Sequence, residues 1–173
     1  MEQVKLHPYD PTWKEMFLRE KEALEAVFKG AAVIEHIGST AIPAMRAKPV
    51  IDIAAGVDNV EKIETHRARI ENIGYTFVEH EAFPERRFFR KGTWRAGTHH
   101  LHVYEWESEP WRRQLLFRDY LLRHPEVRQQ YEEIKQLAAI AHPHDRQAYT
   151  ESKSSFIASV LREAEAEQKE GDA

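Results

Sequence analysis

Two short segments of the chain hold side chains that could do chemistry on a phosphate. Gly38-Ser39-Thr40 follows the apolar run Ala31 to Ile34, and Asp52 lies inside a second apolar run, Pro49 to Ala55, with twelve residues between Ser39 and Asp52. This spacing suits two neighbouring strands, one ending in a phosphate-holding turn and the other carrying a metal-holding carboxylate. Glycine lets backbone approach an anion closely. A serine hydroxyl and the free amides of a following turn can face phosphate oxygens. Aspartate is a hard oxygen ligand of the kind magnesium takes alongside substrate phosphates. The plainer alternatives are an ordinary strand-to-helix turn capped by Ser39 or Thr40, and an Asp52 ion pair with Arg46, Lys48 or Arg87. A nucleophilic Ser39 is disfavoured, because the Gly-x-Ser-x-Gly elbow is absent.

Other candidates lie further along. His100 and His102 share one face of an expected strand and could ligate a metal or complete a site opposite Asp52. Otherwise, one is a satisfied core histidine and the other a surface residue. His36 stands two residues before Gly38. Arg86-Arg87-Phe88-Phe89-Arg90-Lys91 is either a charged edge strand or a source of a guanidinium, Arg87, that grips phosphate bidentately. Tyr149 and Lys153 are spaced for contact on one helix face, which can mean no more than a ring against a lysine stem. Tyr131 and Trp111 read as core residues.

The stretch Glu35-His36-Ile37-Gly38-Ser39-Thr40-Ala41-Ile42-Pro43, with Ala47-Lys48-Pro49-Val50-Ile51-Asp52-Ile53, resembles the signature of the GrpB-like family. Arg86 to Lys91, His99 to Val103, Phe117 to Leu121, and Tyr131, Lys135, Tyr149, Lys153 and Phe156-Ile157 match as well. The resemblance runs from about Leu6 to about Leu161. By fold it implies a nucleotidyltransferase of DNA polymerase beta type. It implies phosphate contacts at Gly38, Ser39, Thr40, Lys48, Arg87, Lys135, Tyr149 and Lys153, catalytic roles for Asp52 and His102, and metal ligands at Asp52, His100 and His102. The cofactor would be magnesium. The ligand would be a nucleoside triphosphate or another phosphorylated small molecule. Family members fused to dephospho-CoA kinase suggest coenzyme A or nucleotide metabolism.

One departure matters. Active members of the superfamily carry a second carboxylate two residues after the first, and here that position is Ala54. Three functions therefore stand: a nucleotidyltransferase with an unknown acceptor, a non-catalytic nucleotide- or phosphometabolite-binding module, and a metal-dependent hydrolase built on His100 and His102.

The elements that must position these residues follow from patterning. Asp10 and Pro11 start a helix whose apolar stripe is Trp13, Phe17, Leu24 and Phe28. Val33 to Ile37 and Val50 to Val57 read as strands, with at most a short helix between Pro43 and Pro49. Asp58 and Glu61 open a second helix that ends at Gly74. Tyr75 to Val78, Arg86 to Lys91 and Thr98 to Tyr104 read as strands, with a hairpin turn over Gly92 to Gly97. Helices follow from Glu109, from Pro125 (with Val127, Tyr131, Ile134 and Leu137 inward), and from Asp145 to Leu161. We expect an α+β domain over 1–162, a mixed β-sheet flanked by helices with a helical C-terminal half. A charged, disordered tail is expected over 163–173.

Composition narrows the class. In 173 residues, 42% are hydrophobic, enough for one core. A net charge of −4 gives no general nucleic-acid surface. There is no cysteine, which removes disulfides, thiolate catalysis and cysteine-bound zinc. No apolar run approaches a membrane span, and the first residues lack a signal-peptide core, so the expectation is a cytoplasmic protein.

Overall fold

The computed structural model describes residues 3–79, 83–93 and 96–171. Its strands are β1 (Ala32–Ile37), β2 (Ile51–Val57), β3 (Tyr75–Val78), β4 (Arg86–Thr93) and β5 (Ala96–Glu105). They form one sheet in the order β1-β2-β5-β4-β3. Only β2 and β5 pair in parallel; the other neighbours are antiparallel. The tip of the expected hairpin turn, Trp94 and Arg95, lies outside the described residues.

Alternation divides the sheet into two faces. Ile51, Ile53, Ala55 and Val57 of β2, Leu101 and Val103 of β5 and Phe89 of β4 point to one face and form the main apolar core. Helices α1 (Thr12–Phe28) and α2 (Glu64–Asn72) cover it. Asp10 accepts the Thr12 amide at 2.9 Å to start α1, and Trp13, Phe17, Leu24 and Phe28 are all buried against the sheet. Removing a ring such as Phe28 would cost roughly 3–5 kcal/mol. The cap of the 3-10 turn leading into α2 lies one residue beyond the expected Asp58, and α2 itself begins at Glu64. Asn59, rather than Asp58, caps a 3-10 turn by accepting the Glu61 amide at 2.8 Å.

The other face carries Asp52, Ala54 and Gly56 of β2 and, through the parallel register, His100, His102 and Tyr104 beside them. Helix α3 (Glu109–Arg123) buries Trp111 against Ile37, Ala54 and Tyr104, closing one end of this face. Helices α4 (Pro125–Ala141), α5 (Arg146–Glu151) and α6 (Ser154–Gly171) complete the C-terminal half. Leu121 and Tyr131 join Ile42 and Met45 in a second core beneath the Gly38 turn.

Between Pro43 and Pro49, where at most a short helix is expected, there is none; the local structure is a 3-10 turn, Ser39–Ala41, ahead of it. One expectation about α4 gives way. Leu137 points out and is 66% exposed, while Lys135 takes the inward position on α4 because it has buried polar partners. Most of the stretch expected as a charged tail lies in helix α6, which ends at Gly171. Ala164 packs with Tyr120 and Val160, and Glu167 bonds Arg123 and His124. No helix of the described residues is long and apolar enough to cross a membrane.

Candidate functional site

The site grows from the end of β1 and the start of β2. Gly38 adopts φ +72°, a conformation L side chains rarely take. A Cβ there would stand 2.8 Å from Asp52 Oδ2, so both backbone and space require glycine. Asp52 faces β5. Its Oδ1 lies 3.2 Å from His100 Nδ1 and 3.3 Å from His102 Nε2. Burial alone would push the carboxyl up, but the two imidazole hydrogen bonds outweigh it and hold Asp52 below the ordinary carboxylate range. Two imidazole hydrogen bonds thus hold the carboxylate for which the sequence offered either a metal or an ion pair with Arg46, Lys48 or Arg87.

Arg86 completes this cluster. Its guanidinium lies 3.1 Å from His102 Nδ1. Guanidinium can only donate, so Nδ1 accepts and Nε2 carries the proton it gives to Asp52. Burial, reinforced by Arg86, pushes the His102 pKa down against the pull of Asp52. His102 is therefore a neutral imidazole held between a cation and an anion.

A lysine cluster stands on the other side of the Gly38 turn. Lys135, 2% exposed, donates to Ser39 Oγ at 3.1 Å and to the Arg46 carbonyl. Lys153 sits in the turn between α5 and α6, with Nζ 4.2 Å from the centre of the Tyr149 ring. Lys48 Nζ lies 5.4 Å from the same ring. Burial, then repulsion from Lys153, lowers Lys135 to about 7; burial, then repulsion from Lys48, lowers Lys153 to about 8. Such crowding of ammonium groups favours an anion among them.

Beside these groups opens a cleft of about 1010 Å³. Lys5, His7, Lys48, Arg90, His100, His144 and Arg146 line it, and among the described residues no Asp or Glu does. In a chain of net charge −4, this is a local concentration of positive potential.

Several expected site residues lie elsewhere. Arg87 pairs in register with Val103, on the apolar face. It bonds Glu61 at 2.8 Å and lines a separate cavity of about 420 Å³ with Glu64 and Arg67, so the structure does not bring it to the Asp52 site. Thr40 is buried and bonded to His36 Nε2 at 3.0 Å, which turns its hydroxyl inward. His36 stacks on Phe17 and is driven by burial to a pKa of about 4, a neutral core histidine. His99 faces Glu20 and Lys91 on the core side. The arginines on the Asp52 face are Arg86 and Arg90, opposite Tyr104 and His100. The alternation of the run shows that they share a face; it does not show which face meets Asp52. Arg118 braces the site from helix α3. It ties α3 to β1 through Glu35 at 2.7 Å and the His36 carbonyl at 2.9 Å, bracing the strand that leads into Gly38.

Magnesium fits this donor set poorly. It prefers carboxylate and water oxygens in an octahedron, whereas the residues within reach are one carboxylate and two imidazoles. Ala54, where a second carboxylate would stand, is fully buried against Trp111 and Tyr104.

Fold and site together define an α+β domain with a cationic cleft beside a carboxylate–imidazole cluster. The family model "GrpB protein" matches residues 3–163, and the chain belongs to that family. It is 38% identical to UPF0157 protein YqkA of Bacillus subtilis over 89% of this chain, and spans about 45% of that protein's length. It is 35% identical to glutamate-rich protein GrpB of Alkalihalophilus pseudofirmus, over 93% of this chain and 95% of that one. A crystal structure of conserved protein GrpB from Enterococcus faecalis superposes with TM-score 0.84 at 35% identity, covering 92% of this chain and 96% of that one. A dephospho-CoA kinase of Mycolicibacterium paratuberculosis is 27% identical over 93% of this chain, which spans 46% of that protein.

Proposed function

We propose that the protein binds a nucleoside triphosphate or another phosphorylated small molecule, with phosphates on the Gly38–Ser39 turn and the lysine cluster. The observation that carries this reading is the convergence of Lys48, Lys135 and Lys153 on Ser39 and Tyr149, next to a cleft that no carboxylate lines among the described residues. Three ammonium groups in a low-dielectric pocket gain most from an anion of high charge density. The likeness to a dephospho-CoA kinase agrees with a nucleotide-like ligand.

The reaction we assign is nucleotidyl transfer in a nucleotidyltransferase-like core. An acceptor oxygen forms a bond to the α-phosphorus, the bond to the bridging oxygen breaks, and pyrophosphate leaves. The acceptor proton passes to solvent. Lys135 and Lys153 neutralise charge building on the departing pyrophosphate. Ala54 favours a second reading, a binding module without turnover, because the position expected to hold the second carboxylate is filled by apolar packing.

Calorimetry with ATP and with inorganic tripolyphosphate tests the binding. Ser39→Ala and Lys153→Ala should each weaken it about ten- to a hundredfold, the scale of one hydrogen bond to a charged group. Equal affinity in both variants, or no binding of any triphosphate at millimolar concentration, would reject the proposal. Release of pyrophosphate from the bound triphosphate separates transferase from module.

A further inference from the structure

We infer that Asp52, His100 and His102 form a binding site for a borderline divalent transition ion of the zinc or iron class, in place of magnesium. The three side chains offer ligand atoms that all lie within 4.8 Å of one another. The Asp52 Oδ1 distances to His100 Nδ1 and His102 Nε2 are 3.2 and 3.3 Å. A tetrahedron with metal–ligand bonds of about 2.0–2.1 Å has edges of about 3.3–3.4 Å. Two edges of such a polyhedron are therefore already built, and an ion could enter without moving the strands.

The donors decide the class of ion. Two imidazoles and one carboxylate are the ligand set of zinc and of non-haem iron sites, which keep a further position open for water or substrate. The Asp52 and His100 side chains are 31% and 35% exposed, and His100 lines the cleft, so the open position would face it. The ligands sit on paired central strands, Asp52 opposite His100 and Ala54 opposite His102, which makes the spacing rigid.

Arg86 opposes the ion. With metal on Nε2 of His102, the ring proton moves to Nδ1, and the contact from Arg86 becomes donor against donor. Metal entry therefore shifts the tautomer of His102 and moves Arg86 off it.

This inference goes beyond the phosphate reading and does not depend on it, because the ion would bind whether or not an anion occupies the lysine side. The test uses the full chain stripped with chelator and titrated with Co²⁺ followed by visible absorption, then with Zn²⁺ in competition. One equivalent should bind with the bands of four- or five-coordinate cobalt. Asp52→Ala and His102→Ala, checked for folding by thermal melts, should weaken cobalt at least about a hundredfold, beyond the 10–100-fold typical of outer-shell partners. Arg86→Met should tighten binding. Displacement of cobalt by millimolar Mg²⁺, wild-type affinity in a His100→Ala/His102→Ala double variant, or unchanged or weaker affinity in Arg86→Met would overturn the assignment. Tripolyphosphate binding measured on the same metal-free protein reports separately on the lysine site.

Discussion

Gly38 and Asp52 are built against each other: a Cβ at Gly38 would stand 2.8 Å from Asp52 Oδ2, and the Gly38 backbone has φ +72° and ψ −175°. The turn we propose for phosphate thus also fixes where the carboxylate can stand. Gly38→Ala should cost roughly 1–3 kcal/mol for the strained conformation. It should also displace Asp52 from His100 and His102. Urea unfolding measures the first effect, and imidazole chemical shifts measure the second. A variant of wild-type stability with unmoved histidine shifts would contradict the packing.

The lysines give a pH dependence of defined sign. Lys135 and Lys153 have folded pKa values of about 7 and 8, below the ordinary 10.5. Between those limits the unfolded chain holds more protons than the folded one, so stability of the ligand-free protein should rise with pH from about 7 toward 10. Tripolyphosphate affinity should run the other way, falling between pH 7.5 and 9.5 as the ammonium charge is lost. Calorimetry across that interval checks it, and Lys153→Ala should flatten the profile.

His36 contributes a slope at acid pH. Its folded pKa is about 4 against an ordinary 6.5, chiefly through burial. The unfolded chain binds the proton first, so stability should fall as pH drops from 6.5 to 4, by roughly 3 kcal/mol in all. His36→Gln keeps a partner for Thr40 and removes the titration. The acid limb of its stability curve should be shallower, as read by urea midpoints at pH 7, 5.5 and 4.

Arg118 is expected to matter without touching the ligand. It donates to Glu35, Asp119 and the His36 carbonyl. Arg118→Met leaves that carbonyl and two carboxylates without their donor. The expected loss is about 1–3 kcal/mol, with tripolyphosphate affinity reduced only as far as the Gly38 turn loosens. Hydrogen exchange over residues 35–40 would locate the effect.

Much of this fold was legible because its signals are local. The capped start of α1, the stripe Trp13, Phe17, Leu24 and Phe28, the apolar runs of β1 and β2, and the prolines at 110 and 125 each act within a turn or two of the chain. The Gly38–Ser39 turn and Asp52 were readable for the same reason: a glycine before a serine and a carboxylate inside an apolar run stand out against their neighbours. Strand alternation also put His100 with His102, and Arg86 with Arg90.

Register and face were beyond it. The sequence determined that Arg86 and Arg87 point in opposite directions. Only the pairing of β4 with β5, which sets Arg86 opposite Tyr104 and Arg87 opposite Val103, decided that Arg86 meets His102 and Arg87 leaves the site for Glu61. The parallel pairing of β2 with β5 brought Asp52 to His100 across 48 residues. The packing of α4 carried Lys135 to Ser39 across 96. Side-chain alternation has a period of two, so one residue of register exchanges the faces of a whole strand. That choice rests on the summed burial of the sheet, and no single residue in the chain encodes it.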